Sequence, residues 1–521
     1  MSAGGRVLLV NPYMASRDAR RLPLSVLALG AVLEGRHDYR IIDGNLDYQA
    51  VDTALRALDE EPCGAVGVTV MPGPQVATAI EISRAVRRAR PEVPIIWGGY
   101  FPTLYAEAAI NAPYVDYAVR GQGERTLLEL LDRLPDAGPP VTPEELPAAS
   151  SARRTAVVRE VRGLTLKEEG RVVHTPDREF APPADTPPYP FERLEAVEPY
   201  LRPSFMGRRT GVHQAAIGCR YRCTFCGVVS MFNGVTLLEE PERLRRAVAT
   251  LRRLGADSVQ FYDHNFFDRR QTSEPILEAL AGDPMPWWCY ARADTLANFP
   301  TSTWRLLEKS RLKMAYIGAE AGSDEVLRRM KKGSRVEHTF ETARRCREHG
   351  VVPEFSFVLG GPEDPEGEIE RTLSMIRRLK AIHPECEVVT YFYSPTPQRD
   401  RRAVAADRDR AVLPRLDEYG PDGPPLPTTP EEWCESRWID YVCHRDAPWL
   451  SERVRQRVRD FATVLGCRFP TVQDYSTPAW GKRVLRGLAS WRYAGEIYGR
   501  PWELRLARKL IPLREPQAQS I

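Results

Sequence analysis

Three cysteines lie within eight residues, at the spacing C-x3-C-x2-C, as Cys219, Cys223 and Cys226. Thiolates are the usual protein ligands of iron–sulfur clusters and are also common at zinc sites. A closed cluster or a structural zinc site needs four protein ligands, but His213 lies upstream of the motif and the next cysteine is Cys289. The motif therefore predicts a [4Fe-4S] cluster in which one iron is open to a non-protein ligand. Three buried thiols, or part of a zinc site, are the alternatives.

The composition is that of an ordinary globular protein with two or three domains, since 43% of its 521 residues are hydrophobic and 27% are charged. The 73 basic and 70 acidic residues nearly balance, so we expect no nucleic-acid partner and no anionic membrane partner. No apolar run approaches membrane-spanning length, which predicts that the chain does not insert into a membrane. With no signal segment and ten scattered cysteines, we expect a cytoplasmic protein.

Residues 1–145 alternate short apolar runs with helical periods, which predicts an α/β domain with a doubly wound, Rossmann-like parallel sheet. Ligands of such sheets bind beyond the carboxyl ends of the strands, and here glycine-rich stretches follow the strands. One of them, Gly-x-Gly-Glu from Gly121 to Glu124, offers backbone amides to a phosphate. The predicted strands are Arg6–Val10, Tyr39–Ile42, Ala65–Val70, Val93–Trp97 and Val115–Val119.

Residues 146–205 form the most proline-dense part of the chain, which excludes a long helix and predicts a structural connector. Within it, Gly163–Lys167 and Arg171–His174 flank Glu-Glu-Gly and predict a hairpin, with His174 exposed. Residues 401–521 contain six of the ten tryptophans and show helical periods. We expect a mainly helical, substrate-facing domain there, although an aromatic core is the commoner explanation for such a composition.

Residues 206–400 read as about six βα units and predict a partial (β/α)6 barrel, with catalytic groups at the carboxyl ends of its strands. Polar or glycine-rich stretches follow several of these strands, as that geometry requires of a site. The predicted strands are Gly211–Ala216, Ser258–Tyr262, Trp288–Ala291, Lys313–Ile317, Glu354–Leu359 and Glu387–Tyr393.

The cysteine motif, with its aromatic Phe225, resembles that of the radical S-adenosylmethionine (SAM) superfamily. The resemblance implies that SAM binds the open iron and is cleaved to a 5′-deoxyadenosyl radical. His264 is the one side chain there that could readily move protons at neutral pH, although a structural role is an even alternative. Helix caps, ion pairs and tight turns are the alternatives for the other positions. The SAM-binding residues implied are Phe225, Asp263, Asn265, Arg292, Glu320, Ser356, Gly360 and Gly361.

The stretch from Trp97 to Pro102, followed by Val-Asp-Tyr-Ala-Val-Arg-Gly-x-Gly-Glu, looks like the cobalamin-binding domain that precedes many radical SAM domains. The loop after the first strand, residues 11–18, lacks the histidine that usually ligates cobalt from below. The resemblance thus implies cobalamin bound without a histidine ligand, and a degenerate domain is the alternative. The residues implied in cobalamin binding are Thr69, Gly98, Gly99, Gly121, Gly123 and Glu124.

In domain order the chain looks like the magnesium-protoporphyrin monomethyl ester cyclase-like class of these enzymes. That resemblance implies a radical SAM enzyme, most simply one that methylates an unactivated carbon of a small molecule or natural product. Oxidation, cyclisation or rearrangement, with cobalamin as an electron relay or absent, is the alternative. The third hypothesis is that the protein is a non-catalytic redox or binding protein. An electron donor such as flavodoxin or ferredoxin is the implied partner.

Overall fold

A computed structural model describes residues 5–16, 19–137, 157–361, 363–394, 426–445 and 450–514. Several predicted features lie outside these ranges: residues 17–18 of the first loop, residues 146–156 of the connector, residues 401–425 and Trp449. Two large sheets, one in each half of the chain, organise the described residues. Among the helices of the described residues, none is long and apolar enough to cross a membrane.

The first sheet has seven strands in the order β2-β1-β3-β4-β5-β6-β7, and its first five strands are parallel, as predicted. The predicted hairpin forms, but it extends this sheet, because β6 pairs antiparallel with β5. His174 is half-buried rather than exposed, and its Nδ1 lies 2.8 Å from the Thr165 hydroxyl. The strands are β1 (Arg6–Asn11), β2 (Tyr39–Asp43), β3 (Cys63–Thr69), β4 (Ile95–Gly98), β5 (Tyr117–Val119), β6 (Leu164–Glu168) and β7 (Arg171–His174).

Apolar side chains fill both faces of this sheet, as the continuous apolar strands require. The helices of this half are α1 (Leu24–Leu33), α2 (Ala50–Glu60), α3 (Gln75–Ala89), α4 (Tyr100–Leu104), α5 (Ala106–Asn111) and α6 (Glu124–Ala137). Short 3-10 turns at Pro183–Asp185, Phe191–Arg193 and Glu198–Tyr200 carry the chain to the second half. Tyr200 anchors the last turn, since its hydroxyl donates to Asp43 at 2.8 Å.

The second sheet has six parallel strands that neighbour one another in chain order, which confirms the predicted partial barrel. A separate antiparallel pair, β9 (Ala216–Gly218) and β10 (Thr236–Leu238), stands beside it. The barrel strands are β8 (Thr210–His213), β11 (Ser258–Phe261), β12 (Trp287–Arg292), β13 (Leu312–Glu320), β14 (Val352–Leu359) and β15 (Glu387–Phe392). The helices are α7 (Gly227–Phe232), α8 (Pro241–Arg253), α9 (Arg270–Gly282), α10 (Ala293–Ala297), α11 (Thr301–Lys309), α12 (Asp324–Arg329), α13 (Val336–Glu348) and α14 (Pro365–Ile382).

The prediction of one continuous strand over Gly211–Ala216 was wrong. Strand β8 ends at His213, and the chain re-enters β structure only at Ala216, in the separate pair. The cause is Asp263, whose Oδ1 accepts the backbone N–H groups of Ala215 and Ala216 at 2.7 Å each. These amides therefore cannot continue the pairing of β8 with β11, and the chain turns out of the barrel sheet.

The C-terminal residues divide between the two halves. Trp433, Trp438 and Tyr441 are buried in the core of the first sheet, whereas the helices after residue 450 add side chains such as Phe461 and Leu485 to the core of the barrel. For Trp433 and Trp438, the alternative of an aromatic core, rather than a substrate-facing surface, is therefore the correct one. The elements are a 3-10 turn (Glu432–Cys434), α15 (Ser436–Val442), α16 (Glu452–Arg468), α17 (Ala479–Ala494) and α18 (Trp502–Leu510).

Replacing Trp433 by alanine tests this docking of the C-terminal segment. The Trp433 ring is 1% exposed and lies 4.0 Å from the Tyr105 ring, centroid to centroid. Loss of a buried tryptophan costs about 3–5 kcal/mol. We therefore expect the free energy of unfolding in urea of the half that contains the first sheet to fall by that amount. The matched control is Trp502→Ala, at a position 70% exposed, which we expect to change it by less than about 0.5 kcal/mol. Equal effects of the two substitutions would contradict the docking.

Candidate active site

One cavity of about 1080 Å³ lies between the carboxyl ends of the two sheets. Its wall includes Thr69 and Gly98 from the ends of β3 and β4, and His213 and Asp263 from the ends of β8 and β11. Small-molecule sites usually span roughly 300–1,000 Å³, so this cavity is large enough for a bulky ligand. It is also where both α/β sheets and parallel barrels bind ligands.

All six residues predicted to bind cobalamin line this cavity. A Cβ atom at Gly98 would meet only Val119, at 3.8 Å, and one at Gly123 would meet Val119 and Leu29 at 3.5 and 3.8 Å. Side chains at these glycines would therefore project into the open space. Gly99 has a φ of +99°, a conformation that favours glycine. The glycines thus form a cradle that larger residues would fill.

Glu124, at the start of α6, places an unsatisfied carboxylate oxygen in this cradle. Its Oε2 is buried and has no hydrogen-bond partner, and burial raises the pKa of the group. A buried polar atom without a partner is costly, so a ligand donor is its natural complement. Of the described residues of the first loop, Asn11, Met14, Ala15 and Ser16 line the cavity, and the binding of cobalamin without a histidine ligand stays a prediction.

The barrel side of the cavity carries Asp263 and His264. Besides the two amides that Asp263 binds through Oδ1, its Oδ2 is buried without a partner. Burial raises the pKa of Asp263 to about 8 and lowers that of His264 to about 4. At neutral pH the carboxyl therefore holds a proton and the imidazole is neutral. Asp263, rather than His264, is the group that can donate a proton at this wall.

The His264 ring is held in place by its neighbours. Its Nδ1 accepts the backbone N–H of Gly218 at 3.2 Å, and its ring packs 4.8 Å from that of Phe232. The remaining ring proton therefore lies on Nε2. This position supports a role for the side chain in shaping the turn that leads to Cys219.

The three cysteines lie on the loop between β9 and α7, against the first half of the chain. Cys219 and Cys226 join an apolar cluster that includes Tyr100, the residue after Gly99. A Cβ atom at Gly227 would collide with the Tyr100 hydroxyl, so this glycine permits the close approach of the two halves. The cysteine loop and the glycine cradle are therefore in direct contact.

The apolar surroundings oppose ionisation of the thiols. Burial raises the pKa of Cys226 to about 12 and also raises that of Cys219. Cluster ligands must be thiolates, so cluster binding has to release protons here. Among the described residues, no three His, Cys, Asp or Glu side chains are already arranged as a metal-ligand group. Side-chain rotation within the loop must bring the three sulfur atoms together.

Two cations offset the cost of making thiolates. Arg292 Nη1 donates to the Cys223 sulfur at 3.8 Å, and its guanidinium lies 3.4 Å from the centroid of the Tyr221 ring. Asp294 holds the same guanidinium at 3.0 and 3.1 Å. Lys332 contributes a second positive charge, which lowers the pKa of Cys219 and Cys226, although less than burial raises it.

Glu320 forms a buried ion pair with Lys332, with Nζ and Oε1 2.5 Å apart. Burial, the largest single effect, lowers the pKa of Lys332, but the charge and hydrogen bond of Glu320 together with Cys223 outweigh it, and the pKa is raised. Glu320 has a φ of +63°, at an irregularity in the pairing of β13 with β14. A non-glycine residue in this conformation costs about 1–3 kcal/mol, which marks the position as a constrained one.

The other residues predicted to bind SAM are spread more widely. Phe225 lies 5.9 Å from Lys332, and the Asn265 amide donates to the Phe267 carbonyl while its own oxygen is buried without a partner. Ser356 is buried on β14 beside Gly318. A Cβ atom on Gly360 would lie 2.8 Å from Leu450, and one on Gly361 would lie 2.9 Å from Glu368. Close packing accounts for both glycines, and their contact with SAM stays a prediction.

The sequence motifs missed Lys332 and the aromatic wall of the barrel. Tyr262 and Tyr290 line the cavity, and the Tyr290 ring packs 4.5 Å from Trp288 and 5.2 Å from Tyr316. The signal was present, since Trp288 and Tyr290 alternate along β12 and therefore share one face. None of the described residues from 426 onward lines the cavity, so the substrate-facing role of the C-terminal region stays a prediction.

Comparison with known families and proteins agrees with this geometry. Residues 215–376 match the radical SAM superfamily, and residues 11–131 match the B12 binding domain. An uncharacterized methyltransferase of Pyrococcus horikoshii, PH0819, is 23% identical over 397 residues, which are 74% of this chain and 80% of that protein. An anaerobic magnesium-protoporphyrin IX monomethyl ester cyclase of Synechocystis sp. is 19% identical over 418 residues, 77% of this chain and 78% of that protein.

The fold also matches a solved structure over almost its full length. The radical SAM methyltransferase TsrM of Kitasatospora setae, with cobalamin and a [4Fe-4S] cluster bound, has a TM-score of 0.62 at 19% identity, over 97% of this chain and 99% of that one. The two matched domains confirm the expected cofactors: a [4Fe-4S] cluster, SAM and cobalamin. The residues present fit them, because the loop supplies three thiols and the glycine cradle leaves room beside an unpaired Glu124 oxygen.

Replacing Asp263 by asparagine should change how stability depends on pH. The pKa of Asp263 is raised in the folded protein, so between about pH 4 and 8 the folded state binds a proton that the unfolded state lacks. The contribution of this group to stability therefore falls as pH rises through that window, by at most about 1.4 kcal/mol per pH unit. Asparagine keeps the two amide contacts without titrating. In urea unfolding of the cofactor-free protein, we expect the free energy of unfolding of the variant to rise relative to that of the wild type as pH rises from 5 to 8. Asp52→Asn, at an exposed position, controls for the charge change, and parallel profiles of wild type and Asp263→Asn would refute the assignment.

Filling the glycine cradle should weaken the binding of cobalamin without affecting the binding of the cluster. Gly98→Leu would place a side chain at the wall of the cavity, and its Cβ atom would approach only Val119, at 3.8 Å. We expect retention of hydroxocobalamin after gel filtration to fall by about tenfold or more, since an overfilled site costs roughly 1–3 kcal/mol. Iron and sulfide content after anaerobic reconstitution should be unchanged. Gly466→Leu, at a position with nothing within 4 Å of the added atom, is the matched control. Normal cobalamin retention by Gly98→Leu would show that the cofactor does not occupy this cradle.

Proposed function

We propose that this chain, which carries a radical SAM domain at residues 215–376 and a B12 binding domain at residues 11–131, transfers a methyl group to an unactivated carbon of a small-molecule substrate. The observation that carries the proposal is the cavity between the two halves. The glycine cradle lines one side of it, and Asp263, Tyr262 and Tyr290 line the other. Two cofactors that act in succession on one substrate carbon need such a shared space.

When bound, the cluster with SAM supplies a radical that removes hydrogen from carbon, and cobalamin supplies the methyl group. The chain's own residues would bind these cofactors and orient them. Cys219, Cys223 and Cys226 would hold the cluster, with Arg292 and Lys332 balancing the negative charge of the thiolates. The buried Glu320, paired with Lys332, would accept hydrogen bonds from SAM.

The walls of the cavity would exclude water from a reactive radical. Phe232, Met231 and Ile217 contribute apolar surface near the cysteine loop, and burial of this kind protects reactive species from side reactions. Protonated Asp263 would donate a hydrogen bond to the substrate or hold a proton there. The proposal includes a cytoplasmic, reducing compartment and an electron donor of the flavodoxin or ferredoxin type, which iron–sulfur chemistry needs.

Radical oxidation or cyclisation is the second candidate, and the similarity to the magnesium-protoporphyrin ester cyclase favours it. The large cavity and its aromatic wall suit a flat ring substrate equally well in either reaction. The two candidates differ in what becomes of the methyl group of SAM. Methyl transfer consumes it, whereas oxidation leaves it on methionine.

The decisive experiment follows that methyl group without a known substrate. Reconstituted protein with hydroxocobalamin, a strong reductant and SAM deuterated on its S-methyl group is analysed by mass spectrometry. We expect S-adenosylhomocysteine to form and the deuterated methyl group to enter the cobalamin fraction. 5′-Deoxyadenosine should form in the same mixture, which also distinguishes an enzyme from a binding protein.

Two variants provide the controls. Cys219→Ala should abolish 5′-deoxyadenosine formation, because it removes a cluster ligand, yet it should keep cobalamin. Gly98→Leu should lose the label in cobalamin but keep the cluster. Formation of 5′-deoxyadenosine with no label in the cobalamin of the wild-type protein would reject methyl transfer in favour of oxidation or cyclisation. Full 5′-deoxyadenosine formation by Cys219→Ala would reject the cluster assignment.

A further inference from the structure

Exposed apolar side chains concentrate on one part of the surface, α17 and α18 with their connection. Twelve large hydrophobic residues are exposed among the described residues, and eight of them lie between residues 480 and 510. Single exposed apolar residues are normal, but a contiguous group marks an interaction surface. The eight residues, which we call the apolar face, are Trp480, Val484, Leu488, Trp491, Ile497, Trp502, Leu506 and Leu510.

The apolar face is organised by helical spacing. On α17 its members recur every three or four residues, from Trp480 to Trp491, and on α18 they recur every four residues, from Trp502 to Leu510. Each helix has separate residues for the interior, such as Leu485 on α17 and Leu504 on α18. The exposed stripes are therefore additional to the core of the protein, and folding does not require them.

The two helices form one antiparallel hairpin. At one end, a Cβ atom on Gly481 would lie 2.7 Å from Ile511, and the Thr477 hydroxyl donates to the Pro512 carbonyl at 2.7 Å. At the other end, Arg492 donates to Glu503 at 2.9 Å. The stripes thus lie on neighbouring helices that are fixed at both ends.

The charge of this hairpin is strongly positive. Residues 479–514 contain nine Lys or Arg and only two Glu, a formal charge of +7, whereas the whole chain carries +3. Both acids are paired, Glu503 with Arg492 and Glu496 with Arg377. Two acids outside the segment, Asp474 and Asp460, pair with Lys482 and Arg505. The net charge of the whole chain is nearly neutral, and for that reason no anionic membrane partner was expected. This segment is nevertheless basic. The exposed basic residues beside the apolar face are Arg483, Arg486, Arg500 and Lys509, whereas the exposed Arg505 is paired with the buried Asp460.

We propose that the α17–α18 hairpin binds the surface of an anionic lipid bilayer. Tryptophan is enriched at membrane interfaces, and a helix face of Trp and Leu flanked by Lys and Arg is typical of helices that lie in the headgroup region. Lysine and arginine near an anionic surface each strengthen binding. The hairpin lies on the bilayer and does not span it, in agreement with the lengths of α17 and α18.

Electrostatics disfavours a second copy of this chain as the occupant of the same face. Two copies meeting through it would bring segments of +7 together, and like charges across an interface oppose association. An anionic membrane, in contrast, complements both the charge and the apolar residues. The inference is independent of the proposed function, because none of these residues lines the cavity.

Cosedimentation of the full-length holoenzyme with lipid vesicles tests the proposal. Vesicles of phosphatidylcholine alone are compared with vesicles that contain phosphatidylglycerol, at low and at high salt. We expect binding to the anionic vesicles, weaker binding in high salt because charge attraction is screened, and about tenfold weaker binding to the neutral vesicles. Equal binding to both vesicles, or binding to neither, would overturn the proposal.

Two variants assign the binding to this surface. Leu506→Glu, at an outward position, should lower binding to anionic vesicles by about tenfold or more, and Arg483→Gln with Arg486→Gln should lower it and reduce its salt dependence. Tyr48→Glu, equally exposed but on the first half of the chain, is the control and should bind normally. Unchanged melting temperature and cluster content would show that the variants fold. A dimer of the holoenzyme that Leu506→Glu dissociates would assign the face to a second copy and overturn the proposal.

Discussion

The geometry of the candidate active site depends on the carboxyl group of Asp263. By accepting the amides of Ala215 and Ala216, it prevents β8 from continuing beside β11. The chain therefore leaves the barrel, forms β9 and delivers Cys219 at the face of the barrel that meets the first domain. The second oxygen of the same carboxyl group remains buried without a partner. One side chain thus directs the cluster loop and supplies a polar group to the cavity beside it.

Charge balance is the second constraint at this place. An apolar pocket opposes thiolates, and Arg292 and Lys332 supply the compensating charge. Lys332 is in turn compensated by Glu320, in the left-handed backbone conformation. The strain costs about 1–3 kcal/mol, whereas leaving one member of a buried ion pair unpaired costs about 3–5 kcal/mol. The pair therefore outweighs the strain, and this explains why a glutamate is tolerated where glycine would be easier.

The sequence predicted those features that local patterns determine. Alternating apolar runs and helical periods gave both sheets, and parallel topology then required the ends of β3, β4 and β11 to face ligands. Contacts between distant residues could not be read in this way. The end of β8 is set by Asp263, about 48 residues further along the chain, and the partner of Glu320 is a lysine in a turn that carries no motif. In both cases the determining interaction joins side chain and backbone, or two side chains, across elements.

The distribution of aromatic residues shows why composition alone did not locate the aromatic wall of the cavity. The tryptophan-rich C-terminal region divides, with Trp433 buried against the first sheet and Trp502 exposed on α18. The aromatic wall of the cavity instead comes from Tyr262, directly after β11, and from Tyr290, within β12. Position in the strand alternation decides which aromatic residue faces a ligand, because residues two apart share one face of a sheet. The number of aromatic residues in a segment carries no such information.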